Sequence, residues 1–370
     1  MITKNKVYIT TTTSISCAGL DDNELFENIC NSNSGIKQDL DYFYGNAPAI
    51  GKIDSKKSFE ENLIDQCSKI LNQSELSSFK DTLLIIGSSV GGMATTEKIY
   101  FKNNSFKAVD PKLHNINSIS YILKNHFDFY DCISFSTACT SSANALGYAY
   151  EVISKGIYKN ALVIGLDQLC KTTVGGFLSL GVLSSNPCKP FDKNRDGMNV
   201  AEAIGCLLLE KEAKDEAIEL CGVGYSSDAH HMTQPHPEGF GAKSSMQNAL
   251  NLANLKTKDI DYINAHGTGT IANDLSEATA IQNLFTHSPY VSSTKSITGH
   301  TLGAAGAIEA IICKYAINKH LVPKNTSLDK IENKNINLLL ENKNLDINYV
   351  MSNSFAFGGN NCSLIFGKVV

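Results

Sequence analysis

The chain has 370 residues, 42% hydrophobic and 19% charged, which is enough for a large core and more than one ordinary domain requires. The formal charge is −5 and the pI about 6.0, with no basic block, so nucleic acid is not a favoured partner. No apolar run reaches the length of a membrane span. The eleven cysteines form no CxxC pair and no secretory segment precedes the first strand, which points to reduced thiols and a cytoplasmic protein.

In chain order, Lys6-Val-Tyr-Ile-Thr-Thr reads as a first strand. Asp22 to Cys30 follows as a helix, capped at Asp21-Asp22. Residues 31–60 are polar and mixed, a loop with short elements, and Phe59 to Leu71 is helical. Thr82-Leu-Leu-Ile-Ile-Gly87 is apolar throughout, as a strand buried on both faces would be. Residues 101–118 carry no clear period, and Ile119 to Phe127 reads as a helix. Asp131-Cys-Ile-Ser-Phe-Ser is a short strand, followed by a turn at Cys139 and a small-residue helix from Ser141 to Ile153. Asn160 to Gly165 and Ala203 to Glu210 are further buried strands. Between them lie a loop and helix over 170–190 and the polar turn Pro190-Phe-Asp-Lys-Asn-Arg-Asp-Gly197. The charged stretch from Lys211 is the expected boundary between an N-terminal half, 1–213, and a C-terminal half, 214–370.

The second half repeats the rhythm. Ile218 to Tyr225 is a strand, Lys243 to Leu255 a helix, and Ile260 to Ala265 a strand running into His266-Gly-Thr-Gly-Thr270. Asp274 to Phe285 is a helix, and Tyr290 to Ser296 a strand. Gly299-His-Thr-Leu-Gly-Ala-Ala-Gly-Ala307 opens another small-residue helix. Two closing strands, Tyr349 to Ser354 and Cys362 to Gly367, flank Phe355-Ala-Phe-Gly-Gly359. Each half thus holds a strand, a turn with a reactive-type residue and a buried Ala/Gly helix, Cys139 in one and His300 in the other. This suggests a duplicated α/β unit whose two small-residue helices pack together.

Cys139 lies where a helix N-terminus favours a thiolate, and the thiolate is the nucleophile; the plain alternative is a buried structural cysteine. His266 and His300 both stand at turns beside glycine, open on one side. With Cys139 they form a Cys–His–His set suited to acyl transfer. His230, His231 and His236 share one loop with no carboxylate at useful spacing, so an ordinary ordered loop is favoured there over a metal site. Lys295 and Glu309 flank His300 as a pair able to fix its tautomer and orientation, or as a plain salt bridge. The Phe357-Gly358-Gly359 turn offers backbone N–H groups to an oxyanion. Cys362 lies inside the last strand and is not expected to be a second catalytic thiol.

Five motifs, Thr137-Ala-Cys-Thr-Ser, Pro190-Phe-Asp-Lys-Asn-Arg-Asp-Gly, His266-Gly-Thr-Gly-Thr, Ser293-Thr-Lys-Ser-Ile-Thr-Gly-His-Thr-Leu-Gly-Ala-Ala-Gly and Asn353-Ser-Phe-Ala-Phe-Gly-Gly-Asn-Asn, occur in this order. From about residue 80 to its end the chain resembles the β-ketoacyl-acyl carrier protein synthases of the elongating Cys–His–His type. The resemblance implies an α/β, thiolase-like fold of two duplicated βαβαβαββ halves in five α/β layers. It implies decarboxylative condensation of acyl and malonyl groups held on acyl carrier protein, with no metal or redox cofactor, by a homodimer or by a heterodimer with a ketosynthase-like subunit. It assigns Cys139 as nucleophile and His266 and His300 as neutral N–H donors to the enolate, with Lys295 and Glu309 in support. Thr268 and Thr270 would hold the pantetheine arm, the N–H groups of Cys139 and Phe357 the oxyanion, and Phe357 the gate to an acyl pocket beside Met198. Ala356 and Met198 stand where the family usually has Gly and Phe, and residues 100–130 depart from the fatty-acid enzymes. Leu166-Asp-Gln-Leu-Cys-Lys and Ser227-Asp-Ala-His-His-Met-Thr-Gln-Pro-His-Pro-Glu-Gly are similar to ketosynthases of aryl-polyene-type clusters. The competing expectation is a chain-length-factor-like partner subunit, against which Cys139, His266 and His300 all speak. A degradative thiolase would need a second cysteine near Phe357, and a priming synthase would have Asn at His300.

Overall fold

Ten strands in two five-stranded arrays, with a two-residue strand Asn337–Leu338 added at the outer edge of the second beside Tyr290–Ser292, carry the architecture. The structure is a computed structural model that describes residues 5–39 and 47–369. Part of the expected loop over 31–60, residues 40–46, lies outside the described residues, as do residues 1–4. The first sheet is built from β1 (Tyr8–Ser16), β2 (Thr82–Gly87), β3 (Cys132–Phe135), β4 (Asn160–Asp167) and β5 (Ala203–Glu210). The second is built from β6 (Ile218–Ser227), β7 (Tyr262–Asn264), β8 (Tyr290–Ser292), β9 (Tyr349–Phe355) and β10 (Asn360–Lys368).

The spatial order is β1-β5-β4-β2-β3 in the first sheet and β6-β10-β9-β7-β8 in the second, the same sequence of first, fifth, fourth, second and third strand. Directions repeat as well. The β1–β5 and β5–β4 pairs are antiparallel, and β4–β2 and β2–β3 parallel. The β6–β10 and β10–β9 pairs are antiparallel, and β9–β7 and β7–β8 parallel. The two sheets join edge to edge where Tyr8 and Ile9 of β1 meet Glu219 and Ile218 of β6. The chain is therefore a duplicated unit of thiolase-like fold.

Alternation in the strands explains the layering. On β2, Leu83 and Ile85 join the central apolar cluster, while Leu84 and Ile86 join a second cluster under the outer helices. Ala161 and Val163 of β4 divide from Leu162 and Ile164 in the same way. Phe59–Gln73 and Asn117–His126 cover the first sheet from outside; Phe240–Ala253 and Ile271–Leu284 cover the second. Between the sheets lie two central helices, Ser141–Ser154 after β3 and Ala305–Lys319 after β8. Both are buried nearly all round, as helices flanked by sheets on two sides must be. Their close approach depends on small residues: a Cβ on Gly306 would lie 2.6 Å from the backbone nitrogen of Ala143. Ser142 Oγ accepts the N–H of Ala307 at 2.9 Å across the same contact.

Two expectations are corrected. The strand read from Tyr290 to Ser296 stops at Ser292. The Ser293 N–H goes to Asn325 Oδ1 and its hydroxyl to Gly267 O, so Lys295 instead opens a helical turn, Lys295–Thr298. The unreadable stretch 101–118 ends one helix, Met93–Asn103, and passes through short helical turns into the next. Its large apolar residues, Phe101, Phe106 and Leu113, are exposed, which removes the periodic signal.

Candidate active site

Strand ends deliver the functional groups. After β3, Ala138 takes a left-handed conformation, φ 53°, and turns Cys139 to the mouth of the first central helix. After β7 the chain enters His266–Thr270, and after the turn that follows β8 it presents His300. The Cys139 Sγ and His300 Nε2 are 3.0 Å apart. The rings of His266 and His300 are 5.2 Å apart and nearly perpendicular, at 87°. The structure thus brings together the three residues singled out in the sequence. They share a cavity of about 260 Å³ with Thr268, Thr270, Met198 and Phe357.

Each turn is held from behind. The N–H groups of His266 and Gly267 donate to the two oxygens of Glu277, at 2.9 and 2.8 Å. Those of Thr268 and Gly269 donate to Asp274, which also accepts the N–H of Phe191. Thr268 and Thr270 share a hydroxyl hydrogen bond of 2.9 Å. The Phe357 turn is tied to the nucleophile's helix through Asn360, whose Oδ1 accepts from Thr140 Oγ1 at 2.7 Å and Asn144 Nδ2 at 3.0 Å. The backbone N–H groups of Phe357 and of Cys139 itself favour the charged form of the sulfur. Asp167 at the end of β4 accepts from Ser88, Ser89, Val90 and Gly303, fixing the loop after β2 to the turn behind His300.

Asp167, Glu277, Asp274 and Asn360 were not read from sequence as site residues. The available signal was an acid closing an apolar strand, for Asp167, and two acids three apart on a buried helix, for Asp274 and Glu277.

The electrostatics correct one expectation. Burial pushes the Cys139 thiol up to about 11, although the Phe357 N–H and the Lys295 charge pull it down. Burial thus works against the thiolate that a helix N-terminus favours. Burial, helped by Lys295, pushes His300 down to about 3, and the same causes with His300 push His266 well below the ordinary imidazole range. Both imidazoles are neutral. Lys295 pairs with Glu309 in full burial. The pair does not hydrogen-bond to His300, whose Nδ1 has no partner among the described residues, so it acts on the ring through charge rather than by fixing its tautomer.

The fold and this cavity define a condensing acyltransferase of thiolase fold. The chain belongs to the β-ketoacyl synthase family: residues 61–215 match the model for the β-ketoacyl synthase N-terminal domain and residues 218–329 that for the C-terminal domain. It is 36% identical to a 3-oxoacyl-[acyl-carrier-protein] synthase 2 of Coxiella burnetii over 77% of this chain and 74% of that protein. It is 37% identical to the enzyme of the same name from Staphylococcus aureus (strain COL), over 63% of this chain and 60% of that protein. Among solved structures, a chain of the ketosynthase (ApeO) in complex with its chain length factor (ApeC) from Xenorhabdus doucetiae aligns with TM-score 0.86 and 30% identity, covering 99% of this chain and 98% of that one.

Proposed function

We infer that this chain is a 3-oxoacyl-acyl carrier protein synthase with Cys139 as its nucleophile. The observation that carries the reading is the convergence of one thiol and two neutral imidazoles in one cavity, with Sγ and Nε2 3.0 Å apart. In the first stage Sγ attacks the acyl carbonyl of a carrier-protein thioester. The new S–C bond forms, the bond to the pantetheine sulfur breaks, and the thiol proton ends on that departing sulfur. In the second stage malonyl carrier protein loses CO₂, and the electron pair of the broken C–C bond forms an enolate. Neutral His266 and His300 donate N–H to the enolate oxygen, where charge develops. The enolate carbon attacks the acyl-Cys139 carbonyl. The N–H groups of Cys139 and Phe357 receive the oxyanion, 3-oxoacyl carrier protein leaves, and the released thiolate takes a proton from solvent.

Thr268 and Thr270 line the approach and hold the pantetheine arm, while Met198 walls the acyl side. Lys295 and Glu309 support the imidazoles from behind. No helix among the described residues is long and apolar enough to cross a membrane, and the enzyme works in the cytoplasm as a dimer. The partner is a second copy or a ketosynthase-like subunit, the latter suggested by the ketosynthase/chain length factor structures among its likenesses. The pathway is polyene or fatty-acid elongation. The test is incubation with acyl and malonyl carrier protein, using saturated and polyenoyl primers, with mass spectrometry of products. A 3-oxoacyl product two carbons longer and an acylated Cys139 are expected. Absence of both, with binding to a second ketosynthase retained, would make the chain a chain-length-factor-like subunit.

A further inference from the structure

One wall of the cavity is built differently from the rest. The helix Lys171–Ser179 buries a single side chain, Val174, and carries Gly175 and Gly176 in its middle. Glycine is the weakest helix former after proline, so this helix needs outside support. It ends at Leu180-Gly181, where Gly181 has φ +67° and a Cβ would meet nothing within 4 Å. Support comes from the helix Met93–Asn103. Glu97 Oε1 accepts the Lys171 N–H at 2.8 Å, and its Oε2 accepts the Thr172 N–H at 2.7 Å and the Thr172 hydroxyl at 2.8 Å. Lys171 Nζ lies over the Phe101 ring at 5.6 Å from its centroid. The helix is therefore tethered at its first turn and loosely packed beyond it.

Phe177 projects from this helix onto Phe357, with ring centroids 6.0 Å apart and planes at 51°. The Phe357 backbone is fixed independently. Gly358 N–H donates to Met232 O, Ala356 N–H to Asn360 O, and Gly359 N–H to Ala356 O. The Phe357 N–H is thus set by the turn, while the Phe357 ring meets one aromatic partner among the described residues, Phe177. Phe177, Leu180, Val182 and Met198 continue from that ring as an apolar side of the cavity.

We propose that Phe177 is a positioning residue. It holds the Phe357 ring beside Cys139 from a wall helix tethered by Glu97, and so sets the bulk of acyl chain that reaches the sulfur. The inference deepens the reading of Cys139 as an acyl acceptor and rests on it.

The test compares alkylation of Cys139 by iodoacetamide and by an N-alkyl iodoacetamide with a long saturated chain, followed by mass spectrometry, so that accessibility is read without condensation. Loss of one aromatic contact should raise the long-to-short rate ratio about fivefold in Phe177→Ala. Phe177→Leu, which keeps an apolar contact, should return most of the wild-type ratio, and Glu97→Ala should move it the same way by about twofold, the scale of a lost exposed cap. An unchanged ratio in Glu97→Ala together with an unchanged or poorly folded Phe177→Ala would overturn the proposal. So would an equal change in both rates. Failure of the wild-type chain to accept an acyl group from carrier protein would instead defeat the functional reading, while the alkylation ratio still reported on the wall.

Discussion

The two halves share a strand order and a set of strand directions, yet they do different chemical work. In each, the third strand in chain order ends in a turn that opens a buried small-residue helix; β3 leads to Cys139 and β8 to His300. The second strand differs more. After β2 the chain enters Ser88–Gly92, held by Asp167 and bearing no titratable side chain, whereas after β7 it enters His266–Thr270, held by Glu277 and Asp274. The first half carries the candidate nucleophile Cys139 and the nearby charge of Asp167, and the second carries both imidazoles and the Lys295 charge. The scaffold fixes where groups emerge, and the residue at each strand end decides what they do.

The largest break in this comparison comes from the nucleophile. Cys139→Ala should abolish acyl-enzyme formation and condensation, a loss beyond about a thousandfold, read by mass spectrometry of enzyme and product. Retained condensation would remove Cys139 from the reaction. The reciprocal change in the other half is smaller. His300→Ala should lower decarboxylation of malonyl carrier protein by about a hundredfold to a thousandfold, the scale of one lost oxyanion donor. A near wild-type rate of CO₂ release would show that the enolate is not held there. The contact between the halves is smaller again. Gly306→Ala places a methyl group 2.6 Å from the Ala143 nitrogen and should cost about 1–3 kcal/mol through overpacking, seen as a lower denaturation midpoint. An unchanged midpoint would mean that the central helices separate without penalty.

The parts legible in the sequence are those whose signal is local. The strands β2 and β5 read correctly from residues 82–87 and 203–210 because burial on both faces leaves an unbroken apolar run. The duplicated Cys139 and His300 turns read correctly because glycine and alanine cluster after each. What was missed depends on distant partners. Asp167 acquires its place from Ser88, Val90 and Gly303, which no window around residue 167 contains. The helix bearing Phe177 reads from the sequence within residues 170–190, but with one buried side chain and two central glycines neither period nor propensity marks its bounds or singles out Phe177. The thiolate expected at Cys139 followed a local rule about helix N-termini, and burial of the sulfur, which no local window shows, opposes it.

The smallest effect sharpens that last point, because it asks which half sets the reactivity of the thiol. Burial places Cys139 at about 11 and His300 at about 3. Between those values the thiol stays protonated and the imidazole unprotonated, so the resting pair is neutral on both sides. Alkylation of Cys139 by iodoacetamide follows the thiolate fraction, and should rise about tenfold per pH unit through the neutral range. It should level off only near 11, with no inflection where a free imidazole titrates. A thiolate–imidazolium pair would give a plateau between the two ordinary values instead. The charge that pulls the sulfur down comes from Lys295 in the second half. Replacing Lys295 alone would strand Glu309 in the core, so the informative variant is Lys295→Met with Glu309→Gln. It should move the alkylation curve to higher pH and slow alkylation at neutral pH by a few-fold, as loss of one screened charge implies. An unmoved curve would leave the tuning to the backbone N–H groups of Phe357 and Cys139, with no part for the Lys295 charge.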